Sequence, residues 1–518
     1  MKRLLPAAAA AAALVVTAAG CSGGTGGGPD PAASAPDAAL EPFYAQAIDW
    51  GPCPDGGAEF ECGVFEVPMD YADPGGRALE IAVKRLPAEG ESEGSLLVNP
   101  GGPGGSAYDY AGAATSAVSE DVRERLDVVG FDPRGVARSE PISCLPPERM
   151  DDYLGADLVS EDGDGDPLEV GDAGVEELEE SVKGFVEGCR ERAGDLMMHM
   201  GTENVARDMD VLRAVLGDER LTYLGKSYGT LIGAYYADLF PERVGAMVLD
   251  GALDPELDAL ETTVQQAGGF ETALRAFVED CQGREDCPLG GEEDGVDAGV
   301  DRVADLLQEA GREPLDTSAD DGREVGRARV EMGIMGALYS EGYWGEVRGA
   351  LTDAIEDGDG TALLRLGDRL YDRDDPRAFT NSVSSLVAVN CSDAPAPRDP
   401  EAYRRAAEEA AEASPLFGPS SAWAAFTCAY WPEEAVADPW EADAPGADPV
   451  LVVGTTRDSA TPYAWAEELA DGLDSGVLLT YEGDGHTAYR SGAPCVDAAV
   501  DGYLLEHEVP EDGLTCGA

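Results

Sequence analysis

The chain is poor in positive charge. Lysine and arginine together number 35 against 103 aspartates and glutamates in 518 residues, a formal net charge of −68. Such a surface repels phosphate backbones and anionic headgroups, which excludes nucleic-acid binding. Histidine is scarcer still: three residues, His199, His486 and His507, leave no room for a histidine-rich metal site. No C-x-x-C pair or zinc-ligand spacing occurs, and no internal repeat. The acidic string EDGDGDPLEVGD has the look of a calcium loop, but Pro167 stands where an EF-hand needs glycine and Ala173 where it needs glutamate. It reads as a solvated loop rather than a calcium site; neither metal nor organic cofactor is expected for the chemistry derived below. What is plentiful is apolar: 43% of residues are hydrophobic and 27% charged, enough for a true core. The length suits roughly three domains, or one large domain with insertions. The excess acid reads as a solubilising surface, with a subset of carboxylates free to attract a cationic substrate.

The first residues set the expected compartment. Lys2 and Arg3 precede an apolar run from Leu4 to Ala19 that closes on Ala18-Ala19-Gly20 before Cys21. This pattern predicts an export signal over 1–20, too short and alanine-rich for a membrane span. Small residues followed at once by cysteine resemble a bacterial lipobox, so Cys21 is the expected lipidation site and the only route to a membrane. Ala18 stands where leucine is usual, and the alternative is ordinary cleavage with Cys21 left as a spare thiol. Residues 21–40 are rich in Gly, Pro, Ala and Ser and read as a flexible tether. The other ten cysteines form an even set behind an export signal, which reads as disulfides. Pairing neighbours in order predicts Cys53–Cys62, Cys144–Cys189, Cys281–Cys287, Cys391–Cys428 and Cys495–Cys516.

GVFEVPMDY and ALEIAVKRLP flank the turn-former ADPGG and predict a β-hairpin. Then come short apolar runs, SLLVNP, LDVVGFD, LTYLGKS, VGAMVLDG, DPVLVVGTTRD and GVLLTYEGDGH. Runs without polar alternation belong to strands buried on both faces, as in a parallel sheet. Helical patterns between them, at Thr230–Phe240 and Pro462–Leu473 among others, argue for an α/β fold. Two stretches interrupt the alternation: 141–200, and a larger, mainly helical one at 255–447 that predicts a lid or second domain.

LTYLGKSYGTLIGAYYADLF places Gly225-Lys226-Ser227-Tyr228-Gly229 between a strand and a helix. A tight strand-to-helix turn needs such glycines and lifts Ser227 above the sheet, facing the helix amino terminus. A serine needs a base and the base an orienting acid. His199 lies in an insertion and His507 in a polar carboxy-terminal helix. His486 follows the last apolar strand, at the sheet edge expected to carry Ser227, and is the expected base. Asp458 follows the strand before it and is the preferred acid. Asp250, ending an earlier strand, is its rival, and Asp484 is too close to His486 in sequence to orient it. The oxyanion of a tetrahedral intermediate needs two amides. Tyr228 should supply one, and Gly101 or Gly102 in the loop NPGGPGGS the other. That loop has the wrong spacing for a dinucleotide site.

Together NPGGPGGS, GFDPRGVARSEP, GKSYGT, VLDG, VNCSD, GTTRDSATPYAWA and GDGHT resemble the secreted actinobacterial tripeptidyl aminopeptidases and their prolyl-aminopeptidase-like relatives. The resemblance runs from about Phe43 to Cys516. It implies an α/β-hydrolase fold with a helical lid: core at 41–254 and 448–518, the latter ending in a TAP-like segment, and lid at 255–447. It also implies Ser227 as nucleophile, Asp458 as acid and His486 as base, in agreement with the residues; Lys226 is not a position on which the chemistry depends. The expected activity is that of an exported serine exopeptidase releasing short amino-terminal units, such as tripeptides, from peptides with a free amine. A lid carboxylate would hold that amine, with Glu346 in GYWGEV and Asp393 in NCSD as candidates. The alternatives are an esterase or amidase with the same three residues, or a non-catalytic lipoprotein binding small ligands.

Overall fold

A computed structural model describes residues 35–158, 160, 166–319, 322–373 and 379–517. The export signal, Cys21 and the middle of the acidic loop lie outside the described residues. Ten strands form one sheet: β1 (Gly51–Pro52), β2 (Glu61–Pro68), β3 (Ala78–Leu86), β4 (Ser95–Asn99), β5 (Asp127–Phe131), β6 (Leu221–Lys226), β7 (Val244–Asp250), β8 (Val450–Arg457), β9 (Gly476–Asp484) and β10 (Leu514–Gly517). Their spatial order is β1-β2-β3-β5-β4-β6-β7-β8-β9-β10. The predicted hairpin is β2–β3, which joins the rest through an antiparallel β3–β5 pair. From β5 to β10 every neighbouring pair is parallel.

The apolar runs form strands because both faces are covered. Leu97, Val129, Tyr223, Leu249 and Val452 enter one core, while Leu96, Val98, Val128, Leu224, Val248 and Val453 enter the other. Full burial of each such side chain is worth about 1.5–3 kcal/mol, which fixes the side-chain alternation of every strand. The parallel strands therefore end along one edge, and the segments carrying Ser227, Asp458 and His486 all leave the sheet there.

The described residues of 255–447 are mainly helical, with short 3-10 turns and one π-helical turn at Asp353–Asp357, and they possess their own core around Phe270, Phe277, Leu306, Ile334, Leu351 and Phe417. All five predicted disulfides are present. Two details depart from the sequence reading. The predicted tether is ordered at its end, where Asp37 caps a 3-10 turn over Ala38–Leu40 and Leu40 is buried. Strand β10 was not foreseen, being four residues long with only Cys516 buried. No helix among the described residues is long and apolar enough to cross a membrane.

Candidate active site

Ser227 sits at the end of β6 with φ 54° and ψ −126°, a conformation costly for any residue but glycine. The surroundings hold it there. Its amide donates to Asp250 O on β7 (2.9 Å), and its carbonyl accepts from Thr230 N (2.8 Å) and Thr230 Oγ1 (2.6 Å). A Cβ on Gly225 would lie 2.3 Å from Gly229 O, so the turn closes only with glycine at 225. The helix Tyr228–Leu239 then leads away from the serine.

His486 follows β9. Its Nδ1 lies 2.8 Å from Asp458 Oδ1, and the Asp458 side chain is fully buried. Asp458 is held in turn by amides: Oδ1 accepts from Ala460 N and Thr461 N (2.9 Å each), and Oδ2 from Thr487 N (3.2 Å). The opposite ring nitrogen, His486 Nε2, is buried without a hydrogen-bond partner. The ring packs against the backbone beside the elbow. A Cβ on Gly251, one residue past the carbonyl that binds Ser227 N, would lie 3.2 Å from His486 Cε1.

Asp250 does not orient the histidine. Its two oxygens accept from Ala488 N (2.9 Å) and Tyr489 N (3.0 Å), just beyond His486. Asp484 pairs with Arg457 on the adjacent strand. His199 ends the 3-10 turn Gly194–His199 in the 141–200 insertion, and His507 caps the final helix in a left-handed conformation.

The glycine loop after β4 touches the elbow: a Cβ on Gly101 would lie 2.7 Å from Ser227 Cβ and 3.1 Å from Tyr228 N. The Gly101 amide itself is engaged, however, donating to Asn99 Oδ1 at 2.9 Å. Among the described residues the amides of Gly102 and Tyr228 are left without an acceptor. Of the three residues expected to supply the two donors, Gly101 alone has its amide turned to Asn99.

The two candidate amine ligands part company. Glu346 is exposed on the first turn of the helix Trp344–Thr352 and pairs with Arg369 at 3.1 Å, so its charge is engaged at the surface. Asp393 ends the helix Ser382–Asp393 and accepts from Thr202 N (2.7 Å) and Thr202 Oγ1 (2.6 Å). The same hydroxyl lies 2.6 Å from Tyr228 Oη, which connects Asp393 to the residue after Ser227. No lysine or arginine pairs with Asp393 among the described residues, and burial pushes its carboxyl up to about 7.

The lid also reaches the site in ways the sequence did not signal. Tyr339, at the end of the lid helix Arg327–Leu338, accepts a hydrogen bond from His486 N (2.9 Å) and sets its ring edge-on to the imidazole, 5.4 Å between centroids. The lid helix Ala259–Gln282 lies against the Asp458 turn, with Gln266 Nε2 donating to Ala460 O at 2.7 Å.

A strained serine at a strand–helix turn, and a carboxylate-bound imidazole after a later strand of the same sheet, are parts found in serine hydrolases built on the α/β-hydrolase fold. Comparison with known proteins agrees: the model of the alpha/beta hydrolase fold matches residues 94–350, and that of TAP-like proteins matches 414–516. Serine protease Hip1 of Mycobacterium tuberculosis is 37% identical over 488 residues, 92% of each chain. Carboxylesterase B of the same organism is 36% identical over 494 residues, covering 92% of this chain and 91% of its own. Tripeptidyl aminopeptidase of Streptomyces lividans is 33% identical over 486 residues, covering 90% and 86%. The chain belongs to this tripeptidyl-aminopeptidase-like family of α/β-hydrolases.

Proposed function

We propose that the protein is an exported serine exopeptidase that removes short units, tripeptides in the first instance, from the free amino terminus of peptides. Ser227 Oγ attacks the scissile carbonyl while His486 Nε2 takes its proton. Asp458 holds the ring through Nδ1 and stabilises the imidazolium. The amides of Tyr228 and Gly102 bind the oxyanion. The imidazolium returns the proton to the leaving amine, and water, activated by the same histidine, hydrolyses the acyl-enzyme to free Ser227. The observation that carries this reading is the His486 ring, tied to Asp458 on one nitrogen and unpartnered on the other. Asp393, an ionisable group without a cation beside it, supports recognition of a substrate ammonium; Glu346, already paired at the surface, does so less well. The five disulfides support export, with Cys21 as the lipid attachment site.

A fluorophosphonate probe should label the wild-type protein and not Ser227→Ala; an unlabelled wild type would return the chain to a binding role. Tripeptide p-nitroanilides with a free amine should then be cleaved far faster than the same compounds acetylated. Equal rates would favour the second reading, an esterase or amidase, which the likeness to a carboxylesterase keeps in play.

A further inference from the structure

Lys226 immediately precedes Ser227, and Asp250 is its register partner on the adjacent strand. Lys226 Nζ stands 3.6 Å from Asp250 Oδ2, the carboxylate fully buried and the lysine side chain 13% exposed. Neither group touches Asp458. We propose that the Lys226–Asp250 pair is a positioning device for His486, which sets where the imidazole stands relative to Ser227. The inference rests on reading Ser227 and His486 as nucleophile and base.

The segment after the histidine carries the argument. Its three consecutive amides all donate to buried carboxylates: Thr487 N to Asp458 Oδ2, Ala488 N to Asp250 Oδ1 and Tyr489 N to Asp250 Oδ2. Lys226 Nζ completes the grip, donating to Tyr489 O at 2.6 Å and lying 3.5 Å from Thr487 Oγ1. Within this segment Thr487 and Arg490 have φ of 67° and 65°, values that non-glycine residues keep only where neighbours over-determine them. Asp250 also holds the nucleophile, since its carbonyl accepts from Ser227 N at 2.9 Å. One buried pair therefore joins the backbone of the nucleophile to the backbone of the base. Asp458 fixes how the ring is turned, and Lys226 with Asp250 fixes where the ring is. A neutral side chain at 226 would leave the Asp250 carboxylate without its cation and Tyr489 O without its donor, and the histidine segment would be free to relax.

The test compares Lys226→Met, Asp250→Asn and the double variant with wild type. Each is assayed with p-nitrophenyl butyrate for kcat and KM, and with a fluorophosphonate for its labelling rate. Near-ultraviolet circular dichroism and thermal melting give the folded fraction. Each single variant should lose about 10²-fold in kcat per folded molecule, the scale of a roughly 1 Å misplacement, with KM unchanged. The double variant, which holds no uncompensated buried charge, should regain part of the melting temperature that the single variants lose, and not kcat. A purely structural pair gives the opposite pattern, kcat per folded molecule returning with stability, and that result overturns the proposal; so does a double variant that cannot fold. A wild type inert to the fluorophosphonate overturns the serine reading and this inference together. A reactive wild type with an equally reactive, folded Lys226→Met overturns this inference alone.

Discussion

Ionising a half-buried carboxylate without a cation beside it is costly, and Asp393 is such a group. Its carboxyl is raised to about 7, so between roughly pH 4, the unfolded value, and pH 7 the folded chain retains a proton that the unfolded chain has released. Stability from this residue is fully present below that window and is lost as pH rises through it. A bound ammonium reverses the balance by favouring the ionised form. Peptide amines have a pKa of about 7.7–8.0, so both charges coexist best between about pH 7 and 8. The ratio of kcat/KM for free over acetylated tripeptide p-nitroanilides should therefore peak in that interval. Asp393→Asn should lower the ratio by roughly 10- to 100-fold, the worth of a hydrogen bond to a charged group, and flatten its pH dependence. A ratio that Asn leaves intact places the amine elsewhere. At this scale the sequence was legible wherever a residue ended an apolar strand. Ser227, Asp458 and His486 all do, and three histidines left few rivals. What stayed hidden depended on which way a donor points: Gly101 turns its amide to Asn99, and Lys226 looked idle because its partners lie on β7 and more than 260 positions down the chain.

A lid that merely covered a site would touch its rim, whereas this one holds two of the three segments proposed to react. Ala460, in the turn after Asp458, is packed into the lid's own core. Trp465 Nε1 donates to Gln265 Oε1 of the lid helix Ala259–Gln282 at 2.7 Å. The helix backbone comes close at Gly269, where a Cβ would meet Ser459 O at 2.8 Å and Asp458 O at 2.9 Å. Its neighbour Gly268 has nothing within 4 Å of the same added atom. The pair makes an internally controlled experiment. Gly268→Ala should be stabilising by up to about 1 kcal/mol, the helix preference for alanine over glycine, with activity unchanged. Gly269→Ala gains the same preference but pushes on the backbone of the acid, so its kcat should fall even if its melting temperature does not. Equal activities in the two variants would mean that the Asp458 turn adapts freely and the lid does not set its place. The helical character of 255–447 could be read from its periodicity. Its docking could not, because a glycine that fits against a carbonyl and one that faces open space look alike in sequence.

On the scale of the whole molecule, the dominant fact is a net charge of −68 on a chain whose disulfides are all local. Sequence separations within the bridges run from 6 to 45 residues, and none of them ties the lid to the sheet. Lid and sheet are joined instead by packing and hydrogen bonds such as those at Gly269, Gln266 and Tyr339. The repulsion among excess carboxylates acts against that junction as well as against each part, since a compact body concentrates like charge. Salt weakens this repulsion by shortening the Debye length from about 30 Å at 0.01 M to about 8 Å at 0.15 M. The melting temperature should therefore climb steeply with sodium chloride over that range and level off beyond it, where the remaining screening length is already near the spacing of neighbouring groups. Excluded solutes such as sucrose also stabilise, by favouring burial rather than by screening, so sucrose at equal osmolarity should leave the low-salt deficit in place. Because the lid holds the Asp458 and His486 segments, activity measured below the melting range should follow the same salt curve. A melting temperature that is flat between 0.01 and 0.15 M salt would show that the acidic surface is too well dispersed to strain the fold, and would leave solubility as the whole consequence of its charge.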